Sequence, residues 1–293
     1  MDTTLIPQVR RFNRIAVERI GALDGSFLGR KRPVGEARLL WEIGGGGADL
    51  RDLRARLGLD SGYLSRLLRA LEEDGLVTVG VASGDGRVRR ATLTAAGRRE
   101  WRELDTRSDA FAASMLEPLG ERQRRELVEA MATVERHLTA SMIVIEPADP
   151  GSADARWCIE QYFRELGERF EGGFDHAISL AAVPDDMRSP AGVFLVARLR
   201  EAPVGCGGLK LHGREPAEVK RMWVSRSVRG LGLGRRMLRE LEAGATAAGA
   251  PTTRLETNRS LTEAISMYRT AGYQEVAPFN DEPYAHHWFE KRL

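Results

Sequence analysis

A chain of 293 residues is long enough for two ordinary domains, each with a core of its own. Its 42% hydrophobic and 29% charged residues describe a globular protein and exclude a disordered one, and no apolar run nears transmembrane length. The net charge of +2 splits into 24 basic against 21 acidic residues up to position 143 and 20 against 21 beyond it, so neither half announces nucleic acid by charge alone.

The opening MDTTLIPQ holds an acid and no basic cluster, so a cytoplasmic protein without a membrane partner is expected. In the first half, Ile6, Val9, Phe12, Ala16, Ile20 and Leu23 recur at helical spacing and predict a helix over 5–24. A second helix is expected over 36–43, stopped by the glycines at 44–47. A third from Asp49 buries Leu50, Leu53 and Leu57 and ends at Gly58. A fourth, 61–74, places Leu64, Leu67, Leu68 and Leu71 on one face. Two β-prone runs, 78–83 and 87–94, flank the turn Gly84-Asp85-Gly86 and read as a hairpin. Trp101, Leu104, Phe111 and Met115 mark one long helix; Leu127, Met131, Val134 and Leu138 mark another.

After about residue 140 strands and helices alternate. Strands are expected at 142–147, 192–199, 204–212, 218–225 and 253–257, and near 273–277 and 286–291. Helices are expected at 153–170, from the glycine-rich turn to about Ala248, and at 260–272. The linker is two or three residues, which predicts a stiff junction between domains at 1–140 and 141–293. Cys158 and Cys206 are too few and too isolated for a disulfide framework or a zinc site, so no metal is expected.

Leu50 to Leu71 spells a helix, a short glycine-containing turn and a second helix, followed by a β-hairpin wing. With its leucines buried, the second helix turns Ser61, Gly62, Ser65, Arg66 and Arg69 outward. Small residues allow close approach to bases, and arginines bond guanine or phosphate. Arg87, Arg89 and Arg90 fall on or beside the wing, where a guanidinium can enter a minor groove. The extra apolar stripes of the outer helices call for a homodimer through the terminal helices of this half.

The stretches GEARLLWEI and DLRARLGLDSGYLSRLLRALEEDGLV, with Asp85, Arg87, Leu93, Thr94 and Gly97 on the wing, resemble the MarR family of winged-helix transcription factors over roughly 5–140. The resemblance implies a mainly α winged helix-turn-helix fold, with Arg66 and Arg69 meeting an operator in the major groove and Arg87 in the minor groove.

In the second half, VSRSVRGLGLGRR (224–236) lies between a strand and a helix. Gly230, Gly232 and Gly234 leave backbone N–H groups bare to converge on an anion at the helix start, and Arg229, Arg235 and Arg236 add positive charge. The spacing fits neither a dinucleotide fingerprint nor a nucleotide P-loop, so the loop reads as a pyrophosphate cradle. Arg229, Gly232 and Gly234 after a hydrophobic strand, together with LETNRSLTEAISMYRTAGY, resemble the two main motifs of the GNAT acetyltransferases over about 142–293. That resemblance implies an α/β acyltransferase fold whose mixed central sheet is splayed, with acetyl-CoA as cosubstrate and an amine as acceptor. Val224 and Asn258 join the cofactor-binding set. The Val224 backbone would donate to the thioester oxygen, Tyr268 would protonate the departing thiolate, and Glu218 would deprotonate the amine. Tyr162, Glu171 and Asp175 fall where an acceptor binds in such folds, while His286 and His287 read better as structural.

The expected function is therefore a regulator of transcription that is also an N-acetyltransferase. Two alternatives stay open: a regulator whose second half senses acetyl-CoA without turnover, and an enzyme whose winged helix only holds a dimer.

Overall fold

The computed structural model describes residues 3–20, 28–29, 32–82, 85–179 and 184–293. The chain divides into two compact units, Met1–Glu129 and Ala130–Leu293. The second unit thus takes the last part of a helix that the sequence reading placed wholly in the first domain.

Unit one is helical with a small sheet. After α1 (Ile6–Ile20) come α2 (Val34–Ile43), β1 (Ala48–Asp49), α3 (Leu50–Leu57) and α4 (Ser61–Glu73). The hairpin β2 (Val77–Ala82) and β3 (Asp85–Leu93) and the long helices α5 (Ala95–Leu116) and α6 (Glu121–Ser141) follow. Each boundary has a local cause. Gly58 takes a left-handed φ of 63° that ends α3. The Asp60 carboxylate accepts the Tyr63 N–H and starts α4, and the Thr94 hydroxyl accepts the Gly97 N–H and starts α5. Leu39, Leu40, Ile43 and Leu53 meet Leu64, Leu68 and Leu71 of α4 in one core, closed by Val77, Ala91 and Leu93 from the hairpin. Burying a leucine contributes about 2 kcal/mol, so the leucine stripe fixes which face of α4 turns inward. The strand β1, two residues long, pairs with β3 through Ala48–Ala91 and Asp49–Arg90; so short a strand has no sequence period and forms because β3 offers it an edge. Expected position Leu23 of the first helix lies outside the described residues.

Unit two carries a seven-stranded sheet in the order β4-β5-β6-β7-β8-β10-β9. Its strands are β4 (Ile143–Pro147), β5 (Gly192–Leu199), β6 (Ala202–Lys210), β7 (Ala217–Val224), β8 (Thr252–Thr257), β9 (Gln274–Val276) and β10 (His287–Arg292). The helices are α7 (Ala153–Arg169), α8 (Leu233–Ala247) and α9 (Thr262–Thr270). Alternation along β5 divides the core: Phe194 and Val196 pack with Ala155 and Cys158 of α7, whereas Leu195 and Ala197 join Leu233, Met237 and Leu241 of α8. All pairings are antiparallel except β7 with β8, which run parallel and pair only at Ala217–Thr253 and Glu218–Arg254. Beyond that point the two strands part. On its other side β7 slips register against β6 between Cys206 and Gly208, and Arg221 sits there with a left-handed φ of 57°. No helix among the described residues is long and apolar enough to cross a membrane.

Candidate functional site

In unit one the exposed face of α4 holds Ser61, Ser65, Arg66 and Arg69, with the leucines turned inward. The Ser65 hydroxyl donates to the Ser61 carbonyl at 2.7 Å, so its proton serves the helix and its oxygen remains an acceptor. The Arg66 guanidinium lies 5.4 Å from the ring of Tyr63. Arg89 is exposed on β3, while the side chain of Arg87 lies outside the described residues. Arg90 corrects the expectation for the wing. Its guanidinium donates to the Asp49 carboxylate at 2.7 Å and to the Gly46 and Gly47 carbonyls at 2.9 and 3.1 Å, fastening β1 to the hairpin.

In unit two the parting of β7 from β8 opens a cleft of about 500 Å3. One wall is the end of β7 and the glycine-rich turn; the other is α9. Gly230 and Gly232 have φ of 78° and 77°. A side chain at either would meet open space, so backbone conformation and not crowding requires glycine there. Gly234 is different, because a Cβ would sit 3.0 Å from the Met267 sulfur. Arg236 N donates to Gly232 O at 3.1 Å, so the amides at 233–235 precede the first closed turn of α8 and remain at the positive end of the helix dipole. The Ser225 amide donates to Val204 O, which leaves the neighbouring Val224 N–H and C=O directed away from β6, toward the opened side.

The arginines differ in what they can offer. Arg235 reaches Thr270 Oγ1 at 3.3 Å and lines the cleft. Arg236 is corrected as a source of charge for the cradle: it donates to the carbonyls of Ala140 and Ile143 at 2.8 and 2.9 Å and anchors the start of the sheet. Arg229 donates from Nε to Val224 O at 3.1 Å and from Nη2 to both oxygens of Glu165 at 2.7 and 2.5 Å. Glu165, on α7, also accepts from Trp223 Nε1 at 3.0 Å. Burial pushes its carboxyl up, but the bonds from Arg229 and Trp223 outweigh that and hold it below the usual carboxylate range. Sequence reasoning missed Glu165; a single acid on an amphipathic helix carries no signal.

The cleft meets a second chamber, of about 100 Å3. Tyr162, Met222 and Tyr268 line both. Tyr268 lies between the rings of Tyr273 and Phe289, and burial raises its phenol well above the ordinary value, so the hydroxyl keeps its proton at neutral pH. Asn258 lines the chamber and not the cleft: its amide donates to Tyr284 O at 2.7 Å and its oxygen accepts from the Ser260 N–H and hydroxyl at 2.9 and 2.8 Å. Its visible work is to shape the turn into α9.

The choice of Glu218 as base is corrected by its surroundings. It borders neither space, because its carboxylate is held by Arg254 at 2.6 Å and Lys220 at 3.2 Å. Burial pushes its carboxyl up, yet Lys220 and Arg254 outweigh it and keep the group ionised, a poor proton acceptor at neutral pH. The same lysine reaches Glu256 Oε1 at 2.5 Å, and Glu256 does line the chamber. Of the softer candidates, Tyr162 is in place and burial raises its phenol to about 12. Glu171 pairs with Arg259 at the surface and Asp175 caps the Ala177 amide, and neither borders the chamber. His287 bonds Glu275 at 2.6 Å, as a structural residue would. Among the described residues no group of three or more His, Cys, Asp or Glu could hold a metal. Cys158 and Cys206 are both buried thiols.

Fold and site together define a winged helix-turn-helix joined to an α/β unit whose split sheet leads into a glycine-rich turn at the start of a helix. Residues 28–88 match the model of the MarR family and residues 190–275 that of the acetyltransferase (GNAT) domain. Over 123 residues the chain is 36% identical to an IAA acetyltransferase of Azospirillum brasilense, a stretch covering 41% of this chain and 77% of that protein. It is also similar to the solved structure of a GNAT family acetyltransferase from Staphylococcus aureus Mu50, with 16% identity, a TM-score of 0.44 and coverage of 52% and 99% of the two chains. A GNAT family acetyltransferase from Elizabethkingia anophelis with acetyl-CoA bound shares 16% identity, with a TM-score of 0.34 and the same coverage. The chain belongs to the GNAT acetyltransferases and carries a MarR family winged helix ahead of that domain.

Proposed function

We propose that the second unit transfers the acetyl group of acetyl-CoA to an amine, while the first binds operator DNA as a two-fold dimer. The observation that carries the transfer reading is the cleft where β7 and β8 part, with bare amides at one end and Tyr268 at the other. When bound, acetyl-CoA supplies an activated thioester. The amides of the turn at 230–235 and the Arg235 guanidinium grip its diphosphate. The Val224 N–H donates to the carbonyl oxygen as charge develops there, and Tyr268 donates its retained proton to the sulfur. Glu256, across the opened gap on β8, is held by Lys220 as Glu218 is, so the amine's proton is left to water rather than to a fixed carboxylate.

Calorimetry with acetyl-CoA and a thiol-release screen over many amines test this reading. Tyr268→Phe keeps the ring packing and is expected to lower kcat by about a hundredfold or more, in the range of general acid catalysis. A protein that ignores the ligand ends the reading, and coenzyme binding without release by any amine leaves a sensor.

For the first unit, the supporting observation is the outward row Ser61, Ser65, Arg66 and Arg69 on a helix whose other face is core. Leu5, Val9 and Phe12 on the N-terminal segment and Val128 on α6 are exposed apolar groups, the kind a dimer covers. Salt-sensitive binding to DNA upstream of the chain's own gene, and a dimer by light scattering, are the expected results. The cytoplasm is the compartment this reading requires.

A further inference from the structure

The outward face of α4 carries Arg66 and Arg69, and among the described residues no carboxylate or carbonyl holds either guanidinium. Arg66 rests instead on an aromatic ring, with its guanidinium 5.4 Å from the centroid of Tyr63, three residues earlier. Positions i and i+3 share a helix face, and long side chains lean back toward the N-terminus. Arg66 therefore reaches over Tyr63 toward the start of α4, the end of a recognition helix whose residues meet base edges in the major groove.

Tyr63 is itself fixed. Its N–H donates to the Asp60 carboxylate at 2.8 Å, which closes the first turn of α4. Its phenol end lies against the start of α2, because a Cβ on Gly35 would come within 3.1 Å of the Tyr63 oxygen. The residue is 38% exposed, so the ring still offers a surface to the guanidinium. Stacking covers one face of the planar guanidinium and leaves the N–H groups along its edge, which match the N7 and O6 acceptors of guanine. Ser61, Gly62 and Ser65 beside it are too small to keep a base edge away. A supported arginine also gives up less rotamer freedom on binding than a loose one.

Resting on the DNA-binding reading above, we infer that Tyr63 is a positioning residue that sets Arg66 to read one guanine of each operator half-site. Tyr63 acts through Arg66, supplying a platform and no charge. Arg69, one turn further from the helix start, meets phosphate.

The test uses the full chain and a randomised duplex pool from which the wild type selects its own site. Each guanine of that site is then changed to adenine in turn. The wild type should lose about tenfold in affinity at the guanine read by Arg66, and Arg66→Ala should bind the two duplexes alike. Tyr63→Leu should shrink that ratio to about threefold or less while keeping the slope against log salt, since no cation is lost. Tyr63→Phe keeps the ring and should retain the full ratio. A Tyr63→Leu chain with the full ratio overturns the inference. So does one whose non-specific binding and melting transition fall together, because the ring would then serve the fold alone. A selected site with no guanine that depends on Arg66 also overturns it and leaves the DNA-binding reading standing. Failure of the wild type to select any site overturns both.

Discussion

Replacing Glu165 by Gln tests whether the glycine-rich turn at 230–235 is held in shape by α7. The carboxylate accepts from Arg229 Nη2 through both oxygens, from Trp223 Nε1, and from Arg169 Nη1 at 3.4 Å. Glutamine keeps the outline and one acceptor but turns an NH2 toward one of these donors. A charge-assisted bond contributes about 1.5–3 kcal/mol. The Arg229 side chain is 38% exposed, so solvent screening reduces the loss to about 1–1.5 kcal/mol. At 1.4 kcal/mol per tenfold, that predicts a rise of about fivefold to tenfold in KM for acetyl-CoA. Because Glu165 borders neither the second chamber nor Tyr268, kcat at saturating acetyl-CoA should move less than twofold. Steady-state thiol release with varied acetyl-CoA reads both. The native carboxyl lies below its unfolded value, so its contribution to stability is present above that value and is lost as pH falls through the native one. The stability difference between wild type and variant should therefore shrink below about pH 4. A folded variant with an unchanged KM would refute the brace.

Four further substitutions separate backbone, packing and charge. Gly232→Ala meets no atom within 4 Å yet must hold a φ of 77°, which costs about 1–2 kcal/mol; calorimetry should show acetyl-CoA bound several-fold more weakly. Gly97→Ala would bring a Cβ to 1.9 Å from the Leu76 carbonyl oxygen, where neither backbone can yield cheaply, so the melting transition of unit one should fall by about 1–3 kcal/mol or more. Arg69→Ala should weaken binding to operator DNA and reduce the slope against log salt by about one. Arg90→Ala, made in parallel, should lower thermal stability while leaving that slope unchanged, because its guanidinium is spent on Asp49, Gly46 and Gly47.

The parts that were readable in sequence are those with a period or a backbone demand. Leucines at three- and four-residue spacing announce α4 and so its outer face, and glycines 230 and 232 announce a turn that other residues cannot make. The Gly97 of the wing signature shows a different cause, close approach of one backbone to another, which no local pattern encodes. Misread residues are those whose role depends on partners far along the chain. Glu218 looked like a base until Arg254, brought beside it by the parallel pairing, neutralised it. Arg90 and Arg236 looked like free cations until carbonyls of distant segments claimed them. Counting charges near a motif locates cations but not their counterparts.

The features that make the second unit a site trace to one strand. Regular pairing of β7 on both sides would leave no gap, and its amides would all be spent in the ladder. Pairing with β8 stops after Glu218, and the register slip at Arg221 re-aims the residues beyond it. From that point Arg221 faces the chamber, Met222 lies at the junction, and Val224 faces the cleft just before the glycine turn. Restoring a normal strand by deleting one residue at the bulge would return backbone hydrogen bonds to the sheet and swap the faces of everything between 221 and 224. Such a chain should melt no lower than wild type yet lose acetyl-CoA binding, because the turn at 230–235 would then be launched from the wrong side of the sheet. If it bound acetyl-CoA with unchanged affinity, the irregular strand would be incidental to the site.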